Sequence, residues 1–245
     1  MFYLKERDTL IEIVRGHALD ILANMPDNRL FDAVITDPPY ASGASTQSGI
    51  SATTSKKYTG SKDRCPFPDF EGDAMDKRSW ANMMTLTLEL AREHTQKGGV
   101  IVLFVDWRQL PIATDVMQWA GWVWRGIALW DKGNCRPQKG RFRQQAEFLA
   151  WGSNGSLPVD RPVPCLPGVF AVPNVTGIER IHQTQKPLDL MRDVVRICTP
   201  GGSILDPFAG SGSTLEAARL EGFNAFGIEL STVIYESARQ RLGLD

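Results

Sequence analysis

The stretch SILDPFAGSGST, residues 203–214, decides the fold of this chain. A short apolar run ends in Asp206-Pro207-Phe208, and a turn with glycines at positions 210 and 212 leads into a helical pattern. Glycine lets a turn tighten and lets the backbone approach a ligand closely. A strand, a glycine-rich turn and a helix form one unit of an α/β fold, whose ligands bind at such turns. Taken alone, the glycines are equally compatible with a turn that only caps the helix.

The rest of the chain continues this alternation. The patterns predict strands at residues 10–15, 31–36, 98–106, 122–130, 146–151, 203–206 and 223–229, and helices at 18–24, 77–96, 108–120, 187–198, 212–222 and 231–242. Apolar strands that alternate with helices indicate an α/β fold with a mainly parallel sheet covered on both faces. The 245 residues suit a single domain, residues 1–245, in which the proline-rich residues 152–181 are expected to be irregular.

Composition excludes several classes of protein. The formal net charge is -1, so the chain lacks the overall basic character of a dedicated DNA-coating protein, although a local basic face is compatible with it. The four cysteines form no CxxC pair and the three histidines have no ligand spacing, so we expect reduced, buried cysteines and no metal. No signal-peptide pattern and no apolar run of about 20 residues is present, so we expect a cytoplasmic protein without a membrane partner.

The glycine-rich turn has the features of a nucleoside site rather than a phosphate site. It lacks the Gly-Lys-Ser/Thr of a P-loop, and Leu215 occupies the place of the third glycine of a dinucleotide fingerprint. Glu229 ends the next predicted strand, where a carboxylate can accept hydrogen bonds from ribose hydroxyls. A ligand with a ribose and no phosphate fits this pattern, and S-adenosylmethionine is such a ligand.

A second unusual loop follows the strand in VITDPPYASG, residues 34–43. Loops at the carboxyl ends of parallel strands gather at one edge of a sheet, so Asp37-Pro38-Pro39-Tyr40 is predicted to face the glycine-rich turn. The Asp37 carboxylate and the Pro38 carbonyl can accept the two hydrogens of an exocyclic amino group, and Tyr40 can stack on a flipped base. The alternative for this loop is a stiff turn in which Tyr40 packs on a helix.

Together these motifs resemble the β group of the DNA amino-methyltransferases. The resemblance is carried by Asp37-Pro38-Pro39-Tyr40, His182-x-x-x-Lys186-Pro187 and Asp206-Pro207-Phe208-Ala209-Gly210-Ser211-Gly212, in that order, and by Trp130-Asp131-Lys132. It implies a Rossmann-like methyltransferase fold of seven strands in permuted order, with S-adenosylmethionine as cofactor and double-stranded DNA as partner. Members of the family occur as monomers and as dimers, so the sequence favours neither, and it identifies no restriction endonuclease partner.

The resemblance also assigns site residues. Asp37, Pro38, Pro39 and Tyr40 would be catalytic. The cofactor would be bound within residues 182–245 and at one position before them: His17, Lys186, Pro187, Asp206, Pro207, Phe208, Gly210, Ser211, Gly212, Thr214 and Glu229. One position departs from the family, which often has Gly-Asp where this chain has Gly16-His17. The contact to the cofactor adenine would then come from His17, from Asp20, or from neither.

Nucleic acid is expected to bind beside the catalytic edge. Residues 131–181 form a candidate target-recognition region, and its first part carries the basic residues Lys132, Arg136, Lys139, Arg141 and Arg143, which could neutralise phosphates. Residues 41–76 form a predicted mobile loop after the catalytic motif, because Ser, Thr and Gly dominate its first part, and it could close over a flipped base. The alternatives are a solvated polar segment and plain disorder.

These features favour a site-specific methyltransferase acting on the N6 of adenine. In the family that the chain resembles, Asp at the first position of the motif is used mostly for adenine, and Ser more often for the cytosine amino group. Methylation of cytosine N4, methylation of RNA, and a catalytically silent DNA-binding module remain as alternatives. The intact Asp37, Tyr40 and Glu229 argue against the silent module.

Overall fold

A computed structural model of the chain describes residues 9–40, 75–135, 137–175 and 186–244. The predicted mobile loop, residues 41–76, lies outside these ranges except for its last two residues. Arg136, His182 and Cys65 also lie outside the described residues.

The described residues form eight strands and six helices, close to the predicted positions. The strands are β1 Ile11–Arg15, β2 Phe31–Thr36, β3 Thr95–Val105, β4 Val123–Asp131, β5 Ala146–Ser153, β6 Val169–Ala171, β7 Ser203–Asp206 and β8 Asn224–Glu229. The helices are α1 Ala18–Ala23, α2 Lys77–Glu93, α3 Leu110–Trp119, α4 Leu188–Val195, α5 Ser213–Glu221 and α6 Thr232–Leu242. Helix α4 was expected to begin with Pro187, which instead precedes its first residue as the N-cap.

All eight strands lie in one sheet, in the order β1-β8-β7-β2-β3-β5-β4-β6. Neighbouring strands are parallel except that β5 is antiparallel to both β3 and β4. This arrangement confirms the predicted Rossmann-like methyltransferase fold. The sheet has one strand more than the seven expected, because β6 lies in a segment that was expected to be irregular and pairs in parallel with the end of β4.

Among the described residues, three helices cover each face of the sheet. Successive side chains of a strand point to opposite faces, so a strand such as β2 contributes to both cores. In β2, Ala33 and Ile35 pack in one core cluster, with Leu190 of α4, while Val34 packs in the other, with Met84 of α2. The first cluster also holds residues of α5 and α6, and the second holds residues of α1 and α3. The apolar runs of β2 and β3 are therefore explained by burial on both faces.

The two unusual loops meet at one edge of the sheet, as predicted. Strands β2 and β7 are parallel neighbours, and at their carboxyl ends the Thr36 hydroxyl donates a hydrogen bond of 2.7 Å to Asp206. The turn after β7 is tied to β8 by a hydrogen bond of 2.9 Å from the Ala209 amide to the Ile228 carbonyl. The predicted catalytic motif and the predicted cofactor turn are thus held against each other by the order of the strands.

The cysteines only partly follow the prediction that they are buried and reduced. Cys198 is buried, but Cys165 is exposed and Cys135 is intermediate, and all three are free thiols. Cys165 lies in the proline-rich segment before β6, outside the two core clusters. Among the described residues, no helix is long and apolar enough to cross a membrane.

Candidate active site

The catalytic loop after β2 is held by hydrogen bonds to two of its carbonyl groups. The Trp80 indole donates to the Pro39 carbonyl at 2.6 Å, and the Gln109 amide nitrogen donates to the Tyr40 carbonyl at 2.5 Å. The two prolines fix their own φ angles, which limits the loop further. Among the described residues, no hydrogen bond uses the Pro38 carbonyl.

Five polar side chains meet at this loop, and we call them the polar cluster: Asp37, Tyr40, Lys132, Glu147 and Lys186. The Lys186 ammonium lies 2.6 Å from Asp37 Oδ2 and 2.8 Å from Glu147 Oε1. The Tyr40 hydroxyl lies 2.6 Å from Asp37 Oδ1 and 2.5 Å from Glu147 Oε1. Lys132 lies 3.3 Å from Glu147 Oε2. Two carboxylates and two ammonium groups therefore balance each other in a largely buried site.

The two carboxylates of the cluster have different electrostatic surroundings. Burial raises the pKa of Asp37, and the attraction of Lys186 does not fully offset it. Burial would also raise the pKa of Glu147, but Lys186 and Lys132 outweigh it and lower that pKa. Asp37 is thus the carboxylate that takes a proton more readily, and Glu147 is the one that stays ionised.

The other two central groups of the cluster keep their protons at neutral pH. Burial and the neighbouring carboxylates Asp37 and Glu147 raise the pKa of Tyr40 well above its usual value of 10.0. Burial would lower the pKa of Lys186, but the same two carboxylates outweigh it and raise that pKa. Tyr40 is therefore a hydrogen-bond donor and not a base, and Lys186 is a permanent positive charge.

The cofactor turn is built by Asp206 and two glycines. Asp206 is 1% exposed and accepts hydrogen bonds from Thr36 and from the Phe208 amide at 3.1 Å. Gly210 and Gly212 have φ values of 53° and 80°, a left-handed conformation that favours glycine. Gly212 is the N-cap of α5, so the turn leads directly into that helix.

Burial separates the predicted cofactor residues into two groups. Phe208, Gly210 and Glu229 remain partly exposed at the edge of the sheet. The Glu229 carboxylate accepts hydrogen bonds from the Gly210 amide at 3.0 Å and the Ser231 amide at 2.8 Å, which fixes it beside the turn. The other predicted cofactor residues of this turn are buried beneath it: Asp206, Pro207, Ser211, Gly212 and Thr214. A carboxylate fixed beside an open, glycine-lined turn fits a ribose without a phosphate.

Burial also changes the acidity of the two carboxyl groups at this turn. It raises the pKa of Asp206 to about 6, against hydrogen bonds from Thr214 and Thr36 that lower it. It raises the pKa of Glu229 as well, against hydrogen bonds from the amides of Ser231 and Gly210.

The other predicted cofactor residues lie in different places. His17 is exposed and is the N-cap of α1, and the preceding amide of Gly16 donates to the Glu229 carbonyl at 3.0 Å. His17 is therefore next to the end of β8.

Lys186 and Pro187 are buried, and the Lys186 ammonium points to the polar cluster. The resemblance implied that Lys186 lies near the cofactor; in the structure the Lys186 ammonium donates hydrogen bonds to Asp37 and Tyr40.

The predicted nucleic-acid-binding residues differ in their surroundings: three are exposed to solvent, and one is part of the polar cluster. The connection between β4 and β5 exposes three basic residues, which we call the hairpin basic cluster: Lys139, Arg141 and Arg143. Phe142, between two of them, is 100% exposed. Lys132 is different, because it pairs with Glu147 and lies 5.6 Å from the centre of the Trp130 ring. Arg136 lies outside the described residues.

Glu147 belongs to the polar cluster but was not among the predicted site residues. It is 6% exposed and lies on β5, opposite Trp130 of β4. The signal in the sequence is an acidic residue at the second position of the strand pattern AEFLAWGS, which is otherwise mostly apolar. A charged residue within a buried strand needs a partner, so this position could have been identified as part of a polar site.

Comparisons with known proteins agree with this fold. A family profile described as DNA methylase matches residues 31–161 and 166–240. The type II methyltransferase M.HinfI of Haemophilus influenzae is 26% identical over an alignment of 258 residues, gaps included. The alignment covers 96% of this chain and 69% of M.HinfI. The crystal structure of an M1.HpyAVI-SAM complex matches with a TM-score of 0.71 at 23% identity, covering 96% of this chain and 100% of that chain. The cytosine-N4-specific PvuII DNA methyltransferase matches with a TM-score of 0.69 at 14% identity, covering 95% of this chain and 86% of that chain.

Proposed function

This chain belongs to the DNA methylase family, and from that premise we propose that it methylates the exocyclic N6 of adenine in double-stranded DNA. It is a DNA methyltransferase, and S-adenosylmethionine is its methyl donor. The observation that carries the adenine assignment is Asp37, a carboxylate at the end of β2 whose loop is fixed by Trp80 and Gln109. Asp at this position is used mostly for adenine in the family that the sequence resembles.

The catalytic loop suits activation of an amino group. The lone pair of an exocyclic amino nitrogen is delocalised into the base, so the nitrogen is a poor nucleophile until it becomes more tetrahedral. The Asp37 carboxylate and the Pro38 carbonyl, two acceptors on one stiff loop, would bind its two hydrogens and favour that geometry. When bound, S-adenosylmethionine supplies the electrophilic methyl group of its sulfonium.

The amino nitrogen must also lose a proton. As the new N–C bond forms the nitrogen becomes positively charged, and breaking one N–H bond restores the neutral amine. Asp37 is the adjacent acceptor, and its raised pKa suits it to take that proton. Tyr40 cannot serve as this base, because its own pKa is raised and it holds its proton.

The turn after β7 and the end of β8 would hold the cofactor. Glu229 has both carboxylate oxygens fixed by backbone amides and would accept the ribose hydroxyls. Gly210 would let the backbone approach a ligand, since among the described residues the nearest atom to a Cβ at this position would be the Phe208 oxygen at 4.0 Å. His17, exposed beside the end of β8, would contact the adenine of the cofactor.

The hairpin basic cluster would bind DNA. Its three side chains are exposed on the connection between β4 and β5, the strands whose ends carry Lys132 and Glu147 of the polar cluster. DNA bound there would lie next to Asp37 and Tyr40, and the base would have to leave the duplex to reach them. Phe142, fully exposed between two arginines, could contact the base stack at the site of flipping.

Expression in a bacterial host that lacks DNA methyltransferases tests this proposal without knowledge of the recognition sequence. We expect genomic DNA from cells with the wild-type protein to contain N6-methyladenine at one sequence context, and DNA from cells with Asp37→Ala to contain none. Long-read sequencing would identify both the base and the site. N4-methylcytosine in place of N6-methyladenine would overturn the adenine assignment and keep the methyltransferase.

A further inference from the structure

The Asp37 carboxylate is already occupied in the free protein. Its Oδ1 accepts from the Tyr40 hydroxyl at 2.6 Å, and its Oδ2 accepts from the Lys186 ammonium at 2.6 Å. A carboxylate can accept more than two hydrogen bonds, but a target amino group that donates to Asp37 would share its charge with these two donors and weaken their bonds. Both are largely buried, so a donor that left Asp37 without a new acceptor would carry the cost of an unpaired buried group.

Glu147 offers the new acceptor without any large movement. Its Oε1 lies 2.5 Å from the Tyr40 hydroxyl and 2.8 Å from the Lys186 ammonium, so each donor is already within bonding distance of both carboxylates. A tyrosine hydroxyl has one proton and can donate to only one acceptor at a time. The arrangement therefore has two states, in which Tyr40 donates either to Asp37 or to Glu147.

The surroundings of Glu147 keep it charged for this role. Lys132 lies on its other oxygen at 3.3 Å and has no contact with Asp37 among the described hydrogen bonds. The rings of Trp130 and Phe104, 5.9 Å and 5.3 Å from the Lys186 ammonium, close the site around that cation. Among the described residues, two positive charges thus face Glu147, whereas Lys186 alone faces Asp37.

We propose that Glu147 is a positioning residue that takes over the Tyr40 hydroxyl and the Lys186 ammonium when the target amino group binds Asp37. This exchange would free Asp37 to accept from the substrate and would leave neither buried donor unpaired. The inference rests on the proposed methyl transfer to an amino group, and it applies equally to adenine N6 and cytosine N4.

Glu147→Gln tests the exchange, because it keeps the shape and one acceptor but removes the charge. With Lys186 retained by Asp37, we expect the single-turnover rate of methyl transfer to fall by about 100-fold, as for a misplaced reacting group. The dissociation constants for S-adenosylmethionine and for DNA should stay near the wild-type values. Glu147→Asp, which keeps the charge on a shorter side chain, should recover part of the rate.

The pH profile separates this role from a purely structural one. In the wild-type protein the charge of Glu147 raises the pKa of Asp37. Glu147→Gln removes that contribution, so the acidic limb of the rate profile should move to lower pH. A structural defect would lower the active fraction without moving the limb. Glu236→Gln, an exposed acid of α6, is the matched control and should change neither the rate nor the limb.

The outcomes distinguish this inference from the proposed function. A wild-type rate and an unmoved acidic limb in Glu147→Gln would overturn the exchange and leave the methyltransferase assignment intact. A loss seen only in the affinity for DNA or S-adenosylmethionine would also overturn it. If Glu147→Gln does not fold, Glu147→Asp decides, since a wild-type rate and profile from its shorter side chain would contradict the exchange. A wild-type protein that methylates no base would instead refute the proposed function.

Discussion

Lys186→Met would test the electrostatic balance of the polar cluster. Lys186 is 7% exposed and is the one cation within hydrogen-bonding distance of both Asp37 and Glu147 among the described residues. Methionine is of similar length but carries no charge, so two carboxylates would remain in a largely buried site. Removing one partner of a buried ion pair costs about 3–5 kcal/mol. We expect about 3 kcal/mol, because the Asp37 side chain is 22% exposed and Lys132 still faces Glu147.

The loss of stability in Lys186→Met should depend on pH. Without the lysine, the folded-state pKa of Asp37 would rise further above its unfolded value, so the folded state would bind more protons than the unfolded state. The stability of the variant then falls as the pH rises, by at most about 1.4 kcal/mol per pH unit for one proton. The penalty should therefore be largest above the folded-state pKa of Asp37 and should shrink as the pH falls through that pKa.

Urea unfolding between mild acid and mild base would measure this effect. Fluorescence is a suitable signal because Trp80 and Trp130, at 0% and 1% exposed, lie in the core. Lys97→Met removes an exposed lysine and should change the free energy of unfolding little. The double variant Lys186→Met/Glu147→Gln should recover part of the loss, because one of the two carboxylates that lost the Lys186 contact is gone. A loss below about 1 kcal/mol, a loss independent of pH, or a double variant less stable than Lys186→Met would refute the reasoning.

Three further predictions concern the other parts of the site. Gly212→Ala should destabilise the protein by about 1–2 kcal/mol in urea unfolding, because the left-handed φ disfavours a side chain and the new Cβ would lie 3.3 Å from Leu242; unchanged stability would contradict the assigned turn. Replacing the hairpin basic cluster by alanines should weaken DNA binding and reduce the slope of log K against log salt by about 3, with S-adenosylmethionine binding kept as the control. Asp206 has a folded-state pKa of about 6 against 3.8, so it contributes stability at low pH that is lost as the pH rises through that range. Asp206→Asn should remove this component from the pH dependence of unfolding, and an unaltered pH dependence would contradict the raised pKa.

Much of the fold could be predicted because its strands are long, apolar and separated by clear helical patterns. The strand β6 could not, since Val169–Ala171 has three residues between prolines and shows no periodicity. It becomes a strand only because the end of β4 provides a partner. Strand β3 begins at Thr95 rather than at residue 98, since Thr95 pairs with Phe31 before the register shifts. Pairing of this kind depends on a neighbour that is distant in sequence.

The parts of the site that lie in contiguous sequence motifs could be predicted. Asp37, Tyr40 and the glycine-rich turn follow strands directly, so their position at the sheet edge follows from the topology. The polar cluster was not predictable in the same way, because Lys186 lies 149 residues after Asp37 and Tyr40 lies 107 residues before Glu147. Lys132 was assigned to DNA by its basic neighbours, and only the pairing of β4 with β5 shows that it faces Glu147.

The identity of the methylated base tests the central claim most directly. Purified protein would be incubated with S-adenosylmethionine carrying a deuterated methyl group and with unmethylated DNA of mixed sequence. The DNA would then be digested to nucleosides, which would be identified by mass spectrometry. We predict deuterated N6-methyladenine with the wild-type protein and none with Asp37→Ala, although that variant still binds S-adenosylmethionine. Deuterated N4-methylcytosine alone, or N6-methyladenine formed equally well by Asp37→Ala, would contradict the account.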